Sequence, residues 1–340
     1  TPVGNPTIAI ELADNLLAAE MHKTQTYSYA PFGQEAQEVT LTETAVYRKG
    51  ENRWLLAPPE DDFWGEAQTI EQDQLTFIFY ERDEQFANQF AAKFSDDLNL
   101  LCQHFGEICS PLDDIQIEFV FATSPQMMGA QFFQAPLLSP GFYAHETLQF
   151  WLTSQTILGE PNDEASVTAV YEIYAHQLLR SILHGLLISN GDADQLNAYF
   201  DPDFATHSLF RRVLLDYELA QAGLTTWPIT DKNYSSWQMN EWGLNDLNPF
   251  WYSDDLRLLR QNEEQLLTAV HFMLQRPNNL GARESLQRIN PRQQLSGWFL
   301  LTANDDSLEP GTSLLNQLDQ EIIQTATLAR FETNSPPSLP

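Results

Sequence analysis

The feature that most constrains the fold is a change of period near residue 84. Before it, apolar residues alternate with polar ones; after it, they recur every three or four residues. Ile8 to Leu12 alternates, Asp14 and Asn15 turn the chain, and Leu16 to Met21 returns. Val39 to Tyr47 alternates again, Lys49 to Asn52 turns, and Arg53 to Ala57 pairs back. Leu75 to Tyr80 reads as one more strand. Period two puts every second side chain on one face, so this stretch predicts a meandering antiparallel sheet. Phe86, Phe90, Phe94, Leu98, Leu101 and Phe105 then mark one stripe of a helix that Gly106 ends. The class expected is α+β: a small antiparallel β-rich domain over 1–84, a mainly α domain over 85–332, and a flexible tail over 333–340.

Strands are further expected at Ile115–Phe121 and Glu146–Leu152. Helices are expected from Ala165 to about Ser189, with Asn162, Asp163 and Glu164 at the positive end of the dipole. Others are expected at Leu209–Ala222 (capped by Ser208, stopped by Gly223), Asp254–Gln275, Ala282–Ile289 and Thr312–Phe331. At 340 residues the chain has room for two cores.

Charge removes whole classes of function. Asp and Glu number 47 against 17 Lys and Arg, a net of −30. Such a chain cannot displace counterions from phosphates, which argues against nucleic acid, and it is ill suited to anionic lipid. No apolar run reaches 18 residues, so no membrane contact by this chain itself is expected. No basic-then-apolar leader opens it at Thr1, and Pro-rich sequence closes it. Both ends read as flexible, as in a mature ectodomain or a trimmed piece.

Cys102 and Cys109 flank Gly106, which lets the chain reverse so that the two sulfurs can meet. A bridge would add about 2–3 kcal/mol and place the protein outside the cytosol. The alternative is two free thiols, one in a helix and one in a turn.

The segment 165–189 is the most apolar helix in the chain, yet Glu172, His176, Arg180 and His184 fall on every fourth position. Steps of four advance about 40° past a full turn, so the four share one strip. The strip is either a buried polar seam facing a cleft or a solvated stripe of i,i+4 pairs. Glu172 and His176 could share an ion, but Arg180 on the same strip repels it. No metal and no cofactor are therefore expected.

Other constellations are weaker. Trp237, Trp242, Trp251 and Tyr252, with amides and acids between them, form either a ligand or carbohydrate platform or a loop pinned by buried rings. Ser166, Ser181 and Ser208 lack a Gly-x-Ser-x-Gly elbow, and no phosphate-cradling Gly-rich loop occurs. His22, His104, His145 and His271 stand alone and read as structural.

The order of elements after residue 85 resembles that of the thermolysin-like (gluzincin) metallopeptidases, particularly their peptidase MA-like branch. In that family the long helix carries His-Glu-x-x-His: two zinc ligands and the general base. The matching residues here are His176, Gln177, Leu178, Leu179 and Arg180. The first ligand is kept, the base is an amide, and the second ligand is a permanent cation. The third ligand would come from a following helix. There Leu214 to Ala220 fits the family's frame, with Tyr217 in the ligand position and Glu218 one residue late. The resemblance reaches to about residue 302. It implies a peptidase fold without its metal centre: a non-catalytic domain that binds a peptide or protein. A zinc peptidase with displaced ligands, or a carbohydrate-binding module, are the competing readings.

Tyr47 to Pro58, followed by Phe63, Trp64 and Gly65, resembles ectodomains of bacterial membrane-anchored, anti-sigma-factor-like regulators. That resemblance implies an extracytoplasmic location and a tether to a membrane through a segment upstream of Thr1.

Overall fold

A computed structural model of the chain describes residues 1–29, 36–123, 147–187, 203–229, 256–289, 295–304 and 316–324. They belong to two compact units, Thr1–Leu186 and Leu187–Pro340. The class is α+β, with an N-terminal antiparallel sheet followed by helices and a mixed sheet.

The first sheet contains β1 (Pro2–Leu12), β2 (Ala18–Tyr29), β3 (Gln37–Lys49) and β4 (Trp54–Ala57), paired antiparallel in that order. Leu16 at φ 58° and the Asn15 side chain, which accepts from the Leu17 amide at 2.8 Å, close the first hairpin. On one face a polar ladder crosses β2 and β3: Thr24 with Thr42 at 2.8 Å, Thr26 with Thr40 at 3.0 Å, His22 with Thr44 at 3.1 Å. This face turns toward the rest of the unit. Glu20 accepts two bonds from Arg82 at 2.8 and 2.9 Å. The two-residue strand β9 (Glu160–Pro161) pairs with β3 at Leu41 and Thr42.

The second sheet has the order β5 (Ala67–Gln72), β6 (Leu75–Tyr80), β7 (Gln116–Ala122) and β8 (Thr147–Thr153). β5 and β6 form a hairpin around Asp73 at φ 50°, and β6, β7 and β8 run parallel. The crossover from β6 to β7 is α2 (Glu84–Phe105), then a 3₁₀ segment (Gly106–Asp114). The Phe stripe of α2 lies on the sheet: Phe94 meets Phe119 at 4.9 Å, and Phe119 stacks on Phe77 at 4.9 Å and Phe150 at 5.5 Å. Every one of these rings is buried, each worth about 1.5–3 kcal/mol of transfer. The long helix α4 (Glu164–Leu187) adds Tyr171 against Phe90 at 5.3 Å and Tyr174 against Phe86 at 6.5 Å. Two one-turn helices, α1 (Asp61–Trp64) and α3 (Gln155–Leu158), complete the unit.

The texture does change at residue 84, where β6 gives way to α2, but that position lies inside the first unit. Leu75 on one side of it is the register partner of Ile117 on the other. The boundary between the compact units falls at 186/187 instead. β5 was not expected: it is an edge strand with Ile70 as its only large apolar residue, so its sequence shows no apolar alternation although its exposure alternates along the strand.

The second unit holds α5 (Asp203–Gln221), α6 (Leu256–Leu274), α7 (Ala282–Arg288), α8 (Leu295–Ala303) and α9 (316–324). Phe210 packs on Trp298 at 5.6 Å and Phe299 at 5.3 Å. Arg212 pairs with Glu263, and Arg276 with Glu321. α5 begins five residues before Ser208, so Ser208 is within the helix and not its cap. Gly223, at φ 77°, does end it, as expected. The tail 333–340 lies outside the described residues.

Candidate functional site

The four-step strip on α4 is half-buried. Glu172 and Gln177 are exposed, while His176, Arg180 and His184 are intermediate. The helix around it is sealed: Tyr174, Leu178, Leu179, Ile182, Leu183 and Leu186 are buried. Burial pushes the hydroxyl of Tyr29 up, and the charge of Glu172 pushes it further. Tyr171 donates to Asp97 Oδ2 at 2.5 Å, tying α4 to α2, and Lys93 sits 3.9 Å over its ring. Burial and then that bond hold the Tyr171 hydroxyl protonated.

The other two positions of the family frame lie on α5, in the second unit, and the structure explains both locally. Tyr217 meets Trp227 edge-on at 5.0 Å. Trp227 Nε1 in turn donates to His271 Nδ1 at 3.0 Å. Burial and the neighbouring Glu218 push the Tyr217 phenol up, so it stays neutral. Glu218 is buried, and its Oε1 accepts from the Arg283 amide at 3.1 Å. Its Oε2 lies 3.7 Å from Arg283 Nε. Arg283 is the second residue of α7, so the carboxylate satisfies a donor that a helix start leaves without an internal partner.

These residues do not suit zinc. A tetrahedral site asks for three neutral or anionic donors. Here the positions that match the family motif offer one imidazole, His176, and a fixed cation, Arg180, while Tyr217 is a neutral phenol and Glu218 is engaged at α7. Among the described residues no three His, Cys, Asp or Glu side chains are grouped so as to hold a metal. Trp237, Trp242, Trp251 and Tyr252 lie outside the described residues. Cys102 and Cys109 are a pair at disulfide distance, their Cα atoms 5.4 Å apart.

One polar cluster had no counterpart in the sequence reading. At the carboxyl edge of the parallel strands, Asp83 is buried beneath the turn that follows β8. Its Oδ1 accepts from Ser154 Oγ at 2.9 Å, Thr156 Oγ1 at 3.1 Å and the Thr156 amide at 3.2 Å. Its Oδ2 has no hydrogen-bond partner among the described residues. Burial raises the Asp83 carboxyl, and those three bonds oppose the rise. Glu160 is also raised, first by burial and then by Asp83, while His22 draws it down. Gln155 Nε2 donates to Tyr174 OH at 2.9 Å and to Thr153 O at 3.0 Å. Burial pushes the Tyr174 hydroxyl up to about 12. The cluster joins the two sheets of the first unit through α3 and β9. The only sequence signals were an Asp at a helix start and Ser154-Gln155-Thr156 after an apolar strand, both common in turns.

Searches of family models, curated proteins and solved structures find no match to this chain.

Proposed function

We propose that the chain is a non-catalytic, extracytoplasmic sensor or interaction domain on a degenerate metallopeptidase scaffold, taking a peptide or protein ligand. The observation that carries this reading is the local engagement of the motif positions. Glu218 caps α7 through Arg283, and Tyr217 is held neutral against Trp227. Arg180 stands where a second imidazole would have to grip a dication, and Gln177 has no useful basicity. A carboxylate that stabilises a helix start loses that role if it turns to a metal. The extracytoplasmic placement is supported by the Cys102–Cys109 pair, since such bridges persist in oxidising compartments. The scaffold and the membrane-tethered context rest on the sequence resemblances alone.

The test is incubation of the full chain with casein and a peptide library, with and without added zinc. No cleavage is expected under either condition. Cleavage that disappears in His176→Ala would overturn the reading.

A further inference from the structure

We propose that the outward face of the N-terminal sheet is the contact surface of a homodimer, sheet packed on sheet about a two-fold axis. The register lays out that face row by row. Leu17, whose carbonyl accepts from the Lys49 amide, leads to Lys49 and its partner Trp54. The next row is Leu12, Ala19, Tyr47 and Leu56; then come Ile10, Met21 and Ala45; then Ile8, Lys23 and Glu43. The opposite face is already used by Arg82, Glu160 and the threonine ladder. On the outward face Ile8 is 55% exposed, Ile10 65%, Leu12 56%, Leu17 57%, Trp54 41% and Leu56 70%. Isolated exposed apolar side chains are ordinary, but six on adjoining rows of one sheet are not.

Area and charge both select a second copy as the occupant. At ordinary side-chain areas the six exposures sum to roughly 600 Å² per copy, near the ~800 Å² per partner of a specific interface. Half-buried Met21 and Tyr47 border the same patch. The chain as a whole carries −30, so two copies repel through most of their surface. This face is the exception. Its charges are Lys23, Lys49 and Glu43, and Lys23 already bonds Glu43 at 3.1 Å. An isologous contact needs a patch complementary to itself, and a near-neutral apolar face meets that condition where an acidic one does not. Two such faces pack about 10 Å apart as in a sandwich, with the side chains of both interleaved.

The experiment is sedimentation equilibrium of the full chain across the micromolar range, at low and high salt. A monomer–dimer equilibrium is expected, tightening with salt as repulsion between the acidic remainders is screened. Ile10→Lys and Leu56→Lys each place an unpaired charge in the contact and are expected to weaken it roughly a hundredfold. Both side chains are exposed in the protomer, so the variants keep the wild-type circular dichroism. A wild type that stays monomeric overturns the proposal, as does a dimer indifferent to both charges. A monomer that sediments with neutral phosphatidylcholine vesicles assigns the face to lipid and likewise overturns it.

Discussion

Glu218 and Asp83 are both buried carboxylates, and their surroundings give them opposite consequences. Glu218 meets an amide and a guanidinium, so its charge is answered. Glu218→Ala leaves the Arg283 amide without that acceptor and is expected to cost about 1–3 kcal/mol, read as a lower urea midpoint. Glu218→Gln keeps an acceptor and should lose less. Among the described residues Asp83 has three donors on one oxygen and none on the other, and its carboxyl is raised. A folded-state value above the unfolded one favours the protonated fold. Its stabilisation is complete below the unfolded carboxylate range and is lost as pH rises through the folded value. Thermal melts should therefore show Asp83→Asn gaining on the wild type from mildly acidic to neutral pH. The same substitution should lower the Glu160 carboxyl in an NMR titration, since Asp83's charge is one cause of its rise. An unchanged Glu160 would contradict the coupling of the two sheets at this point.

The elements were legible where period and burial agree. Leu75, Phe77 and Phe79 alternate because the odd face of β6 meets α2, and the Phe stripe of α2 runs on three- and four-residue steps because it meets that face. Phe119, touched by Phe77, Phe94 and Phe150, is the centre of this contact, and Phe119→Ala is expected to cost about 3–5 kcal/mol in chemical denaturation. The strand β5 escaped because an edge strand pairs through its backbone and needs no apolar rhythm. The start of α5 escaped because helix caps are local and weak, and Ser208 met the pattern without occupying the place. Cys102 and Cys109 were readable as a pair from the glycine between them. Replacing both by Ser should lower stability by about 2–3 kcal/mol, with the loss absent when reduced proteins are compared.

At the scale of the molecule, the change of texture was visible and its meaning was not. A parallel pairing such as Leu75 with Ile117 joins residues some forty apart, and nothing local announces it. For the same reason the candidate site was legible only as residue types. The strip on α4 follows from the spacing of Glu172, His176, Arg180 and His184. That Glu218 answers α7 depends on a helix 65 residues along the chain, and that Tyr217 leans on Trp227 depends on how the chain returns after α5 ends. The central claim is that no dication is held at His176. Calorimetric titration of the full chain with zinc tests it most directly. The account predicts no stoichiometric heat that His176→Ala removes; a one-to-one, chelator-reversible site lost in that variant would contradict it.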